Sequence, residues 1–281
     1  MAENRKRISG AKRLKGTYVL SSLEEKEIEL ERLQKQAGAM PKQEIAFMKR
    51  HGLTTGMHVL DAACGPGITA GLIHDFVVPQ GGTVTGIDQD RTLLRIAKGL
   101  ARNQGRQIDF VEGDVYDLPF GERFDYIYCR FLFQHLAHPE RALASMYRSL
   151  KPGGIINILD VNDEWLFLEP SIPAFEELCE LAKIHQAKLG GNRLIGKALR
   201  SLMLQAGLQD PVTDVLMVNS DILSLKTFLE LTTFFKKEII LQGGDDPQSL
   251  IDDIQKACDE QEIFGACGIF SVSAKKPPKP I

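Results

Sequence analysis

The sequence predicts an α/β fold with a doubly wound, mostly parallel seven-stranded sheet. Three observations lead to this class. Apolar, strand-like runs alternate with helical segments through the middle of the chain, an order typical of parallel sheets. The first run ends in an acid followed by a turn with two glycines, and later runs also end in acids. Helical segments precede the sheet and interrupt it after strands 5 and 6, which predicts a helical lead-in and two helical insertions.

The turn after the first strand is the most informative part of the chain. Val59 to Asp61 form an apolar run that ends in an acid, and glycines follow at positions 65 and 67. Gly65 and Gly67 lack Cβ atoms, so the backbone can turn sharply and come close to a ligand. The helix predicted from Ile68 offers unpaired N–H groups at its start. A carboxylate facing this turn would repel a pyrophosphate and attract a cationic group.

Further strands follow in order along the chain. Thr83–Asp88 ends in an acid about 20 positions after the second glycine, where a carboxylate can accept hydrogen bonds from ribose hydroxyls. The other predicted strands are 108–115, 124–129, 155–160, 212–218 and 269–274.

Helical segments fill the intervals between these strands. The lead-in consists of one helix from Leu23 to near Gly38 and another from Pro41 to about His51. Helices are also predicted near 68–77, 90–103, 136–150 and 195–206, and within the insertions at 174–189, 225–242 and 249–259. The expected organisation is a basic tail (1–16), the lead-in or lid (17–52), a main domain (53–274) with insertions near 163–192 and 224–260, and a loose tail (275–281).

Composition limits the compartment and the partners. The chain has 281 residues, 43% of them hydrophobic, and a formal net charge of −3. Bulk attraction to nucleic acid is therefore not indicated. No apolar run approaches the roughly 20 residues that span a bilayer, and the first residues do not resemble a signal peptide. Five cysteines without a Cys-x-x-Cys pair make a disulfide framework or a zinc site unlikely, so a cytoplasmic location is expected.

Taken together, these ordered motifs resemble the class I S-adenosylmethionine-dependent methyltransferases. The likeness spans roughly Met57 to Asp160, and a weaker likeness continues to Ala274. In one departure, the third glycine that often follows two positions after Gly67 is Thr69 here. The resemblance implies a Rossmann-like fold and methyl transfer from S-adenosylmethionine to a small-molecule acceptor. It also implies S-adenosylhomocysteine as the product, and no metal.

The resemblance also implies roles for the residues of the first two strands. Gly65 and Gly67 would let the methionine part and the ribose approach the backbone. Asp61 would face the methionine ammonium. Asp88 would accept hydrogen bonds from the ribose hydroxyls, and Gln89 would flank the adenine.

Four further residues complete the cofactor site that the resemblance implies. Asp114 would bind the exocyclic amine of adenine, and the N–H of Val115 would reach the ring. Arg130 would pair with the cofactor carboxylate; a salt bridge to the lead-in helices is the alternative. Tyr18 would lie at the edge of the lead-in that covers the pocket.

Catalysis needs little from the protein, because the methyl group of a sulfonium is already electrophilic. Proximity, orientation and exclusion of water are expected to carry the reaction. If a proton has to leave the acceptor, His135 is the candidate base and Asp160 its candidate partner, whereas a structural role is the alternative for His135.

Two other functions stay open on the sequence. One is a nicotinamide-dependent oxidoreductase, because the glycine turn and Asp88 would suit either ribose. The other is a non-catalytic cofactor-binding module whose basic tail and extra helices bind a protein or RNA partner. The acceptor, the methylated atom and the oligomeric state are not specified, and a homodimer is among the options.

Overall fold

The computed structural model describes residues 23–279, with side chains from residue 30 onward. Its sheet has the strand order β3-β2-β1-β4-β5-β7-β6. Neighbouring strands are parallel from β3 through β5, and β7 is antiparallel to both β5 and β6. The strands are β1 (His58–Ala62), β2 (Thr83–Asp88), β3 (Asp109–Glu112), β4 (Phe124–Arg130), β5 (Leu150–Glu169), β6 (Gln209–Asn219) and β7 (Phe264–Lys275). The predicted fold class is confirmed.

Helices cover both faces of this sheet and extend beyond its edge. They are α1 (Leu23–Gly38), α2 (Pro41–Arg50), α3 (Ile68–Val77), α4 (Arg91–Asn103), α5 (Pro139–Ser149), α6 (Pro173–Lys188), α7 (Ile195–Gln205), α8 (Leu225–Leu229), α9 (Lys236–Gln242) and α10 (Gln248–Glu260). The segment predicted as one helix over 225–242 is divided by a π-helical turn at Glu230–Phe234. Such turns are rare and are frequently found at functional sites.

Strand β5 is longer than predicted. Asp160, the predicted end of the strand, lies in the middle of the observed strand. After an irregularity between Val161 and Leu166, the strand continues antiparallel to β7 as far as Glu169. Part of the predicted 163–192 insertion is therefore strand. Its side chains alternate: Leu166 lines the central cavity, whereas Trp165 is 45% exposed and contacts the ring of Phe270 edge-on.

A buried polar contact joins β4, β5 and β7 within the apolar core. The amide of Asn157 is fully buried and donates to Ser271 Oγ at 3.0 Å and to the carbonyl of Val272 at 3.2 Å. Its oxygen accepts from the hydroxyl of Tyr126 at 3.0 Å. Because these partners lie on β4 and β7, the two strands that flank β5, Asn157 favours one register of β7 against β5 over a slipped one.

Replacing this amide tests its contribution to stability. Asn157→Leu keeps a similar volume but removes three hydrogen bonds in a buried site, so the free energy of unfolding should fall by about 2–4 kcal/mol. Urea unfolding measures the change. In the Tyr126→Phe background the same substitution should cost less, because one of the bonds is already absent. A loss under about 0.5 kcal/mol in the wild-type background would contradict this role.

Candidate cofactor and acceptor site

A cavity of about 480 Å³ lies at the carboxyl ends of the parallel strands. Ligands of open α/β sheets bind at this edge. Residues that follow β1, β2, β3 and β4 form one end of the cavity. The other end lies between β6, the π-helical turn and the part of β5 beyond Val161 that pairs with β7, which we call the β5–β7 extension. Helix α1 also contributes to the wall with Arg32, Leu33 and Gln36, so the first lead-in helix lies against the cavity.

The two glycines of the turn have different tasks. Gly65 has φ +52°, lines the cavity, and has open space where a Cβ atom would lie. Gly67 has φ +75°, and a Cβ there would lie 2.8 Å from Ala97 Cβ and 2.8 Å from Phe110 Cζ. Gly67 is therefore required by the packing of the turn against α4 and β3, and it does not line the main cavity. Ala63, with φ +60°, adds a left-handed residue that the sequence did not indicate.

Asp61 ends β1 as a buried carboxylate that lines the cavity and is only 2% exposed. Its Oδ2 atom is buried without a hydrogen-bond partner among the described residues. Burial is the main cause that raises the pKa of Asp61 to about 7, and the carboxylates of Glu44 and Asp88 contribute to this rise against the opposing charge of Arg130. A cationic group in the cavity would satisfy this oxygen and favour its charged form.

Asp88 ends β2 and holds the glycine turn. One oxygen accepts from the N–H of Gly65 at 2.8 Å and the other from the N–H of Asp90 at 2.9 Å. Burial raises the pKa of Asp88 in spite of these hydrogen bonds, which favour the charged form. Gln89 is exposed beside it, and both side chains line the cavity.

The third segment predicted to bind the cofactor follows β3. Asp114 is exposed, and its Oδ1 accepts from the N–H of Tyr116 at 2.9 Å. Val115 between them is buried, and all three residues line the cavity.

Arg130 makes the salt bridge to the lead-in that was considered as an alternative. Its Nε lies 3.1 Å from Glu44 Oε1 on α2, and its Nη2 donates to the carbonyl of Gln36 on α1 at 3.1 Å. The guanidinium also lies 4.4 Å from the ring centroid of Phe131. Arg130 thus holds both lead-in helices against the cavity while lining it. Glu44 was missed, since an acid on an amphipathic helix carries no signal of burial.

His135 and Asp160 do not form the contact expected of a catalytic pair. The two oxygens of Asp160 accept from the backbone N–H groups of Gln134 at 3.2 Å and Val161 at 2.8 Å. Asp160 is fully buried, does not line the cavity, and has its pKa raised to about 7 by burial. These contacts give Asp160 a structural role, because they fix the turn after β4 to β5.

His135 does line the cavity, but its basicity is low. Burial, together with the positive charges of Arg193 and Arg32, lowers its pKa to about 3. Its Nδ1 lies 3.5 Å from Nε2 of Gln186. A histidine with this pKa stays neutral at physiological pH and accepts a proton poorly, so the geometry weakens the proposed base role.

A buried charged cluster borders the other end of the cavity, and little in the sequence pattern indicated it. The guanidinium of Arg193 donates to both carboxylate oxygens of Asp163. Its Nε donates to Oδ2, and its Nη2 donates to Oδ1 at 3.1 Å. Lys236 Nζ lies 3.2 Å from Asp163 Oδ2. Asn162, beside them, is also buried and lines the cavity. Arg193 directly follows the first predicted insertion, and Lys236 lies in the second. Only the fold brings them to β5.

The structure thus collects eight of the predicted site residues around one cavity: Asp61, Gly65, Asp88, Gln89, Asp114, Val115, Arg130 and His135. Gly67 and Asp160 lie outside its lining, and Tyr18 lies outside the described residues. Between residues 23 and 279 no cluster of three or more histidine, cysteine or acidic side chains could hold a metal ion. No helix in that part of the chain is long and apolar enough to cross a bilayer.

Comparison with known proteins agrees with this geometry. Residues 59–154 match the family described as methyltransferase domain. The chain is 33% identical over 119 residues to the ubiquinone biosynthesis O-methyltransferase of Coxiella burnetii. The matched residues make up 42% of this chain and 49% of that protein. It is 32% identical over 173 residues to the chloroplastic 2-phytyl-1,4-beta-naphthoquinone methyltransferase of Arabidopsis thaliana, covering 56% of this chain and 66% of the relative.

The fold is also similar to a solved structure, that of a putative methyltransferase from Bacillus halodurans. The TM-score is 0.56 at 21% identity, with 83% of this chain and 98% of the other covered. The chain thus carries a methyltransferase domain, and its predicted resemblance to the class I S-adenosylmethionine-dependent methyltransferases is confirmed. It spans about half the length of the Coxiella relative, and the matched part carries the glycine turn and the acids that follow β1, β2 and β3.

The different tasks of the two glycines can be tested on stability. Gly67→Ala adds a Cβ that meets Ala97 and Phe110 at a left-handed backbone, so the free energy of unfolding should fall by about 2–4 kcal/mol. Gly105→Ala is the matched control, because φ is +65° there and the space around it is open. The control should cost only about 1–2 kcal/mol. Equal losses in urea unfolding would show that packing around Gly67 is unimportant.

Proposed function

We propose that this protein binds S-adenosylmethionine beside the glycine turn and transfers its methyl group to a small-molecule acceptor at the other end of the cavity. One observation carries the proposal. The buried Oδ2 of Asp61 has no hydrogen-bond partner among the described residues and belongs to a cavity-lining side chain, directly before a turn built for close ligand approach. A carboxylate in that position fits the ammonium of the cosubstrate and disfavours a pyrophosphate.

Each part of the cosubstrate has candidate partners along the strand ends. Asp61 would bind the ammonium, and Gly65 would let the ribose lie against the backbone. Asp88 would accept from the ribose hydroxyls while still holding the turn. Gln89 would flank the adenine, and Asp114 and Val115 would bind its polar edge. Arg130 would stay paired with Glu44 and present the remaining face of its guanidinium to the carboxylate.

The other end of the cavity suits a largely apolar acceptor. We call it the acceptor lobe, and its apolar walls include Leu166, Leu216, Val218, Leu231, Phe235 and Ile269. Both relatives named above have quinone compounds in their names, which supports a ring-containing acceptor of similar character. The sulfonium supplies an electrophilic methyl group, so the protein has to align the acceptor and exclude water.

The compartment of the enzyme is inferred from its cysteines. The cysteines at 64, 129, 179, 258 and 267 are all free. Free thiols are typical of a reducing compartment, which supports a cytoplasmic location.

Asp61 allows the cosubstrate assignment to be tested by calorimetry with S-adenosylhomocysteine. Its carboxyl must be ionised to bind an ammonium, and its pKa is about 7 without ligand. The affinity should therefore fall as pH drops below 7, by up to about tenfold per unit. Asp61→Asn should bind about 10–100-fold more weakly and lose the pH dependence.

A neighbouring acid outside the cavity provides the control. Asp117→Asn should leave both the affinity and its pH dependence unchanged, since Asp117 does not line the cavity. Absence of binding at millimolar concentration would reject the proposed function. An affinity that rises as the pH falls would reject the assignment of Asp61.

The role of His135 can be separated from cosubstrate binding. With a pKa of about 3, its imidazole is a weak base at neutral pH. His135→Asn should therefore keep turnover within about tenfold of wild type. Turnover would be measured on an acceptor identified by transfer of a labelled methyl group to a cell extract. A loss of about 10²–10⁴-fold with unchanged affinity for S-adenosylhomocysteine would restore the role of His135 as a general base.

A further inference from the structure

Charge is distributed unevenly along the cavity. Carboxylates line the end beside the glycine turn, among them Asp61, Asp88 and Asp114. Cationic side chains collect at the acceptor lobe instead. The Arg32 guanidinium lies 5.0 Å from the ring centroid of Phe235, and that of Arg193 lies 5.3 Å from the same ring.

Two of the cations at the lobe share a single carboxylate. The Arg193 side chain is 1% exposed and that of Lys236 is fully buried, and both pair with Asp163. Burial alone would raise the pKa of Asp163, but Arg193 and Lys236 bring it down to about 2, so this carboxylate is ionised. The three groups together carry one excess positive charge, which the buried carboxyl of Asp160 near Arg193, with a pKa of about 7, offsets only in part. A buried charge without compensation is costly, so an anion in the lobe would be favourable.

Asn162 provides an independent observation on the same lobe. Its side chain is 2% exposed and lines the cavity, and neither its amide nitrogen nor its oxygen has a hydrogen-bond partner of good geometry among the described residues. The Glu164 carboxylate is close enough for the amide to lower its pKa slightly, but Glu164 is ion-paired to Lys197 at the surface. Buried amides normally have partners, so a polar ligand group is expected beside Asn162.

We propose that the acceptor enters this lobe as an oxyanion, a phenolate, enolate or carboxylate on an apolar body, with Asn162 donating a hydrogen bond to it. This inference rests on the proposed function and assigns its substrate class. Arg193 already donates to Asp163, Gln134 and Gln186, so its contribution is mainly the attraction of its charge. Arg32, on α1, also places its guanidinium at the lobe beside Phe235.

An anionic acceptor also simplifies the reaction. The oxygen uses a lone pair to form the O–CH3 bond, and the S–CH3 bond breaks with its electron pair remaining on sulfur. The negative charge of the acceptor and the positive charge of the sulfonium disappear together. No proton leaves during the transfer, so a neutral His135 of low basicity is sufficient.

Three probes with one body and different charge test the proposal. They are 4-butylbenzoate, 4-butylbenzyl alcohol and 4-butylbenzylamine, which are anionic, neutral and cationic at pH 7.5. Calorimetry would measure their binding to the full chain saturated with S-adenosylhomocysteine, so that no turnover occurs. The benzoate should bind at least about tenfold more tightly than the alcohol, and the amine should bind most weakly.

Two variants connect the preference to named side chains. Asn162→Leu should weaken benzoate binding by about tenfold, and Arg32→Gln should reduce the preference for benzoate over alcohol by about 3–10-fold. Lys35→Gln is the matched control, since Lys35 is on the same helix but pairs with Glu230 at the surface. It should behave as wild type. Binding of S-adenosylhomocysteine serves as the folding control for all three variants.

Several outcomes would overturn the proposal. Equal binding of the three probes would do so, and so would a preference for the amine. The same holds if benzoate does not bind at millimolar concentration while S-adenosylhomocysteine binds normally. Another is a wild-type preference for benzoate in both Asn162→Leu and Arg32→Gln. Failure of S-adenosylhomocysteine itself to bind would instead reject the proposed function.

Discussion

The burial of two carboxylates at the ends of adjacent parallel strands is the constraint on which the rest of the site depends. Asp61 and Asp88 end β1 and β2, and their positions follow from the pairing of Asp61 with Gly86 and of Ala62 with Ile87. Asp88 is satisfied by backbone N–H groups, which shape the glycine turn. Asp61 keeps one oxygen without a partner among the described residues, and that oxygen is available to a cationic ligand.

The lead-in helices are placed by the same electrostatics. Glu44 brings a third buried acid to this edge, and Arg130 offsets it while bonding the carbonyl of Gln36. Glu44 also accepts from the hydroxyl of Tyr128 in β4 at 2.9 Å. Helices α1 and α2 are thereby connected to β4, whose last residue lines the cavity. A helix held in this way can exclude water from the cavity without taking part in the sheet.

Much of the fold and the cofactor side of the site could be predicted from the sequence. Strand ends, glycines and acids that follow them are local features, and the parallel sheet brings them to one edge. The extent of β5 was missed, because its antiparallel pairing with β7 after Val161 is a non-local contact. The packing contacts that require a glycine at position 67 were missed for a related reason. Its left-handed turn is a local property, but its contact with Phe110 depends on the packing of β3.

The acceptor side was largely inaccessible to sequence reasoning. Its walls come from α1, the β5–β7 extension, β6 and the π-helical turn, which lie far apart in the chain. Asn162, Arg193 and Lys236 become recognisable only when burial and partners are known. Asp160 ends the part of β5 that was predicted, yet its oxygens are used by backbone N–H groups. Strand-end position alone therefore did not distinguish a catalytic acid from a structural one.

The two ends of the cavity consequently differ in both origin and charge. The end at the glycine turn is built from local motifs and lined by carboxylates, whereas the acceptor lobe is built from distant segments and bordered by buried cations. A cationic cosubstrate and an anionic acceptor would each be attracted to the end that complements it. This arrangement orients the two reactants before any chemical step.

A crystal structure of the full chain with S-adenosylhomocysteine would test the central claim most directly. The account predicts the ligand ammonium within hydrogen-bond distance of Asp61 Oδ2, the ribose hydroxyls at Asp88, and the sulfur facing the acceptor lobe. A ligand whose ammonium lies away from Asp61, or whose adenine occupies the lobe beside Asn162 and Arg193, would contradict it.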